Sequence, residues 1–142
     1  MRAWEDQRVC VLGLGKSGRS AAAWLAAAGA RVTACDERPA DAIDGLDALP
    51  DAVERRLGAP FPDLADFDLV VPSPGVPAAR FAGARRALGD VELAFRALAV
   101  PVVAITGTNG KTTTTALVVH LLREAGFAAE PAGNIGPPAV SV

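Results

Sequence analysis

The sequence predicts an α/β fold with a parallel sheet, and three observations carry that prediction. Short β-branched runs alternate with longer helical stretches, a glycine-rich loop follows the first run, and a second glycine-rich loop follows a later one. Runs that alternate in this way build right-handed crossovers, which make neighbouring strands parallel. The composition suits a buried core: of 142 residues, 51% are hydrophobic and 21% charged, with a net charge of −2. There is no basic excess of the kind nucleic acid attracts, and no polar bias of the kind that leaves a chain disordered.

Arg8–Leu14 is apolar and β-branched and reads as the first strand. Ser17–Ala28 follows as an alanine-rich helix that starts on a good capping residue type, with Gly29 as its stop. Arg31–Cys35 reads as the next strand, closing at Asp36, so the opening segment is a Rossmann-like βαβ unit. From Glu37 to Asp66 the chain is rich in Pro, Asp and Gly, which allows at most short helices over Asp41–Leu49 and Ala52–Leu57. Phe67–Val71 is a buried-type strand halted by the turn Pro72–Pro77, and helices are expected over Ala78–Leu88 and Val91–Leu98. Val100–Thr106 reads as a further strand, followed by a loop, a helix over Lys111–Ala125 and a stop at Gly126; Phe127–Ala132 is strand-like.

Each glycine loop opens its own unit, which places a boundary near Ala97–Val100. A Rossmann-like domain is expected over residues 1–97, and the start of a P-loop α/β ATPase domain over residues 98–142. The about 45 residues after the boundary are too few to cover both faces of a parallel sheet, so the sequence reads as the front part of a longer protein. Ala21–Ala30 is apolar but too short to span a bilayer and follows no basic segment, so no membrane span is expected and a cytoplasmic location is. Cys10 and Cys35 lie inside strand-like runs and read as buried thiols rather than a disulfide or metal pair.

Two motifs carry chemistry. In the second loop Gly107, Thr108, Asn109, Gly110, Lys111 and Thr112 follow an apolar strand and open a helix, an arrangement that turns backbone N–H groups and a helix N-terminus toward an anion. Lys111 is expected on the β/γ-phosphates of a nucleoside triphosphate and Thr112 on Mg²⁺, with Thr113 and Thr114 extending a threonine run that is mediocre for a helix. The loop departs from G-x-x-x-x-G-K-[ST] at its first position, where Ile105 stands for glycine. The first loop, Gly13-Leu14-Gly15-Lys16-Ser17-Gly18, matches G-x-G-x-x-G between a strand and a helix, with Asp36 about twenty residues on. It predicts a nucleotide or nucleotide-sugar site without saying which nucleotide. Ser73-Pro74-Gly75 and Gly133-Asn134-Ile135-Gly136 are either ligand loops at strand ends or ordinary turns, and His120, Trp4 and Trp24 read as packing or surface residues.

In order and spacing, these loops together with Asp36-Glu37-Arg38 and Ser73-Pro74-Gly75-Val76-Pro77 resemble the front part of the bacterial Mur ligases, most of all the branch that adds D-glutamate. The resemblance implies a three-domain, ATP- and Mg²⁺-dependent ligase of peptidoglycan precursor synthesis, acting through an acyl phosphate on UDP-N-acetylmuramoyl-L-alanine and D-glutamate, and working as a monomer. By that likeness Gly15, Lys16, Ser17, Asp36, Glu37 and Arg38 contact the UDP moiety, and Ser73, Pro74, Gly75 and Asn134 the rest of the UDP-sugar. Thr108–Thr114 contact ATP, with Lys111 as the catalytic cation. Lys16 differs from the residue type the likeness leads one to expect there. The D-glutamate pocket and a further Mg²⁺ ligand of the family would lie beyond Val142, so the chain alone is expected to form no product. Two other readings stay open: a nicotinamide-dependent oxidoreductase domain with Asp36 on the adenosine ribose, which leaves the second loop unexplained, and a non-catalytic nucleotide-binding module.

Overall fold

Strand β1 (Arg8–Leu12) lies inside a four-stranded sheet in which every pairing is parallel. The computed structural model describes residues 4–98 and 100–133. Helix α1 (Lys16–Ala27) leads to β2 (Arg31–Asp36), which pairs with β1 from Arg8↔Arg31 to Leu12↔Cys35. β3 (Glu54–Leu57) extends the sheet beyond β2, and β4 (Leu69–Pro72) pairs with the other side of β1, giving the order β3-β2-β1-β4. The order reverses direction between β1 and β4, the point where open α/β sheets form their ligand crevice. Helices α2 (Asp90–Ala97) and α3 (Lys111–Glu124) complete the regular elements, with short 3₁₀ turns at Ala40–Ala42, Leu46–Ala48, Leu64–Asp66 and Ala78–Phe81.

Side chains alternate across each strand, so β1 feeds two cores. Val9 and Val11 join Leu25 of α1, Leu69 and Val71 of β4 and Leu93 of α2 on one face. Cys10 and Leu12 join Cys35, Val70, Leu64 and Phe67 on the other, which is covered by 3₁₀ turns and loops. Cys10 and Cys35 are free, buried thiols with their sulfurs 3.7 Å apart. The hydrogen bond to Cys35 and burial hold the Cys10 thiol far above its ordinary range. Trp4 and Trp24 meet edge to face at 6.1 Å, Trp4 buried and Trp24 packed against the core, while His120 is exposed.

Several expected elements differ. The stretch 52–57 is not helical: Glu54–Leu57 forms the edge strand β3, where charged side chains suit an exposed edge. Ala78–Leu88 is helical only for one 3₁₀ turn, after which Ala87 forms a single parallel bridge to Val70. The proline turn sets this direction, and hydrogen bonds from Val70 N–H to Arg86 and from Leu88 N–H to Val70 reward extension over a helix. β1 ends at Leu12 because Gly13 turns there with φ +81°. Val100–Thr106 forms no strand, and Phe127–Ala132 forms none either. Among the described residues no strand pairs with Val100–Thr106, and Val100, Val102 and Val103 are exposed, so the ladder that a parallel strand needs is missing. The helix after the second loop does form, closing at Gly126 through hydrogen bonds from Gly126 N–H to Arg123 and from Phe127 N–H to Leu122. It buries none of its residues.

Candidate functional site

The carboxyl ends of β1, β2 and β4 open into a cleft of about 700 Å³. The first glycine loop forms its floor, and its three glycines do different work. Gly13 adopts φ +81° and donates its N–H to the Cys35 carbonyl at 2.8 Å, which turns the chain sharply out of β1. A Cβ on Gly18 would lie 1.9 Å from the Gly13 carbonyl oxygen and 2.5 Å from Ser73 Oγ, so this position admits only hydrogen. A Cβ on Gly15 would meet nothing within 4 Å, so the space beside it is open for a ligand.

Helix α1 begins at Lys16, one residue before the expected start, with Gly15 in extended conformation as its N-cap and no side-chain cap. Ser17 therefore sits in the first turn instead of capping it. The leading backbone N–H groups of α1 face the cleft without an intramolecular side-chain acceptor, the usual condition for anion binding. Lys16 adds an ammonium at the same end.

Asp36, at the end of β2, is buried. One carboxylate oxygen accepts from the Leu14 N–H at 2.7 Å and from Arg38 Nη2 at 2.8 Å; the other accepts from the Arg38 N–H and Nε, both at 3.0 Å. Burial raises its pKa, but the Arg38 guanidinium and the two backbone donors outweigh that and hold it down at about 2. The carboxylate is thus ionised with its acceptor directions filled from within the chain. It ties the glycine loop to Arg38, whose guanidinium also lines the cleft.

Ser73 closes the cleft from β4. Its N–H donates to the Leu12 carbonyl at 2.8 Å and its hydroxyl to the Gly13 carbonyl at 2.6 Å, locking the Ser73–Pro77 turn against the glycine loop. Pro74 and Gly75 stand exposed beside it. Gly15, Lys16, Ser17, Asp36, Glu37, Arg38, Ser73, Pro74 and Gly75 all line this one cleft, whereas Asn134 lies outside the described residues. Phe61 and Arg80 also line it and carry no sequence signal: one sits in an irregular loop, the other in an alanine-rich stretch, and only the fold brings them to the site.

The second loop stands at the start of α3. Gly110 is its N-cap with φ +77°, a conformation that glycine adopts without strain. The Lys111 ammonium folds back to donate to the Gly107 carbonyl and, at 3.4 Å, to the Thr108 carbonyl. Thr115 Oγ1 donates to the Lys111 carbonyl at 2.8 Å, while Thr112, Thr113 and Thr114 are exposed in the first turn. Thr108 and Asn109 are exposed with them.

A sequence model of the Mur ligase MurD-like N-terminal domain matches residues 7–93, the segment that holds β1 to β4 and the whole cleft. The chain belongs to the MurD-like Mur ligases. Curated relatives include the UDP-N-acetylmuramoylalanine–D-glutamate ligase of Anaeromyxobacter dehalogenans, 55% identical over 81% of this chain and 27% of its own length. The enzyme of the same name from Gloeobacter violaceus is 46% identical over 92% of this chain and 32% of its own length. A solved pseudomurein peptide ligase type C from Methanothermus fervidus superposes with a TM-score of 0.53 and 25% identity, covering 85% of this chain and 27% of that one. The chain thus spans about a third or less of the length of each of these proteins. Among the described residues no helix is long and apolar enough to cross a membrane.

Proposed function

We propose that this chain is the UDP-sugar-binding front part of an ATP-dependent Mur ligase that adds D-glutamate to UDP-N-acetylmuramoyl-L-alanine in peptidoglycan precursor synthesis. Residues 1–97 form the UDP-sugar domain and residues 98–142 the beginning of the ATP-binding domain. The observation that carries this reading is the uncapped start of α1 beside Gly15, at the switch point between β1 and β4. There the leading N–H groups and Lys16 take the diphosphate, with Ser17 in the first turn. Asp36 acts through the groups it holds, fixing the Leu14 amide and presenting Arg38. Glu37 and Arg38 serve the uridine end, and Ser73, Pro74, Gly75 and Asn134 the remainder of the sugar nucleotide.

The residues of the second loop fit a nucleoside triphosphate with Mg²⁺: a left-handed Gly110 at a helix start, an ammonium poised over the loop carbonyls, and an exposed hydroxyl at Thr112. Gly107, Thr108, Asn109, Gly110, Thr113 and Thr114 cradle phosphates there, and Thr112 serves as the metal ligand. The chemistry implied is transfer of the γ-phosphoryl to the alanyl carboxylate, after which the D-glutamate amine displaces phosphate and forms the amide. Lys111 neutralises charge on the phosphoryl oxygens during transfer, which makes it the catalytic residue of this segment. A soluble, cytoplasmic, monomeric protein is part of the same reading.

A nicotinamide-binding domain is less well supported, because Asp36 has no acceptor direction left for a ribose hydroxyl. Calorimetric titration separates the two. UDP-N-acetylmuramoyl-L-alanine is expected to bind saturably and NADH to give no heat; binding of NADH that the UDP-sugar fails to displace would sink the ligase reading.

A further inference from the structure

At the cleft's outer wall, Arg80 forms an ion pair with Glu37, and its guanidinium carbon lies 5.1 Å from the centroid of the Phe61 ring. The three residues come from separate segments: the end of β2, the loop after β3, and the 3₁₀ turn after β4. The ion pair does little for stability. Both partners are about half exposed, and exposed pairs contribute about 0–1 kcal/mol. Its placement is nonetheless unusual for a cleft that takes an anion. A carboxylate can only accept hydrogen bonds and repels phosphate, so Glu37 belongs opposite a ligand edge that donates an N–H. Beside it, the Arg80 guanidinium, held over the Phe61 ring, supplies N–H donors in its own rigid plane.

A carboxylate next to a guanidinium is complementary to an amide edge that carries N–H beside C=O. The pyrimidine end of a uridine nucleotide presents that edge. We propose that Arg80 is a specificity-determining residue that, with Glu37, reads the base of the nucleotide, and that Phe61 is the positioning residue that holds the guanidinium at this wall. The diphosphate lies at the start of α1, so the base end falls to the wall these residues form. This assignment rests on the reading of the cleft as a UDP-sugar site.

The test is titration calorimetry on the full 142-residue chain with UDP, ADP and inorganic pyrophosphate as separate probes, with melting curves as a folding control. Arg80→Ala and Phe61→Ala are expected to weaken UDP binding about tenfold or more and to narrow the preference for UDP over ADP, while leaving pyrophosphate binding within about twofold. Arg80→Lys keeps the charge and the fold but not the plane, and recovers only part of the loss. Unchanged UDP affinity in Arg80→Ala, or equal loss of UDP and pyrophosphate, overturns the base-reading role while the UDP site stands. A wild-type chain that binds neither UDP nor the UDP-sugar overturns both.

Discussion

At Asp36 the electrostatics of the cleft and the stability of the fold meet in one side chain. Its pKa of about 2 lies below the ordinary 3.8, so the ionised form is favoured by folding. The stabilisation is complete above about pH 4 and is lost as the pH falls through 2; it amounts to about 2 kcal/mol. Urea midpoints measured between pH 5 and pH 2 are expected to fall over that window, and Asp36→Asn is expected to flatten the curve and lower the midpoint at pH 7. Gly18 makes a steric demand of a different kind, since a methyl group there runs into backbone at 1.9 Å, which cannot yield as a flexible side chain would. Gly18→Ala is expected to destabilise by about 3 kcal/mol, read from thermal melting. Both residues were legible in the sequence, one from the spacing of its motif and the other from the strand end. Phe61 and Arg80 were not, because nothing local marks a residue whose partners arrive from segments far along the chain.

Among the elements, β1, α1, β2 and β4 were readable because apolar runs and glycine stops coincide with what the sheet requires. Leu25 of α1 is fully buried against that sheet, and Leu25→Ala is expected to cost about 2–5 kcal/mol by chemical denaturation. β3 was hidden by its chemistry: Glu54-Arg55-Arg56 carries no apolar alternation, and its strand state comes from pairing with β2 through Thr33↔Glu54 to Asp36↔Leu57. Thr33 Oγ1 donating to Glu54 at 3.0 Å and the Glu54–Arg56 ion pair turn charge into an edge device. Val100–Thr106 shows the converse. Its β-branched residues favour extension, yet propensity alone assembles no ladder without neighbouring strands.

Across the whole molecule, burial is uneven. The sheet carries both cores, whereas α3 buries nothing and, at 14 residues, is near the length at which an isolated helix is marginal. Hydrogen exchange on this chain is expected to show α3 amides exchanging orders of magnitude faster than those of β1 and β4; equal protection would contradict that division. The empty space beside Gly15 has a practical corollary. The backbone at this residue, φ −66° and ψ −174°, is open to alanine, and a methyl group there touches only what enters from solvent. Gly15→Ala should therefore yield a twin of the chain that melts like the original but is blind to diphosphates, a matched control for separating what the fold needs from what its visitor needs.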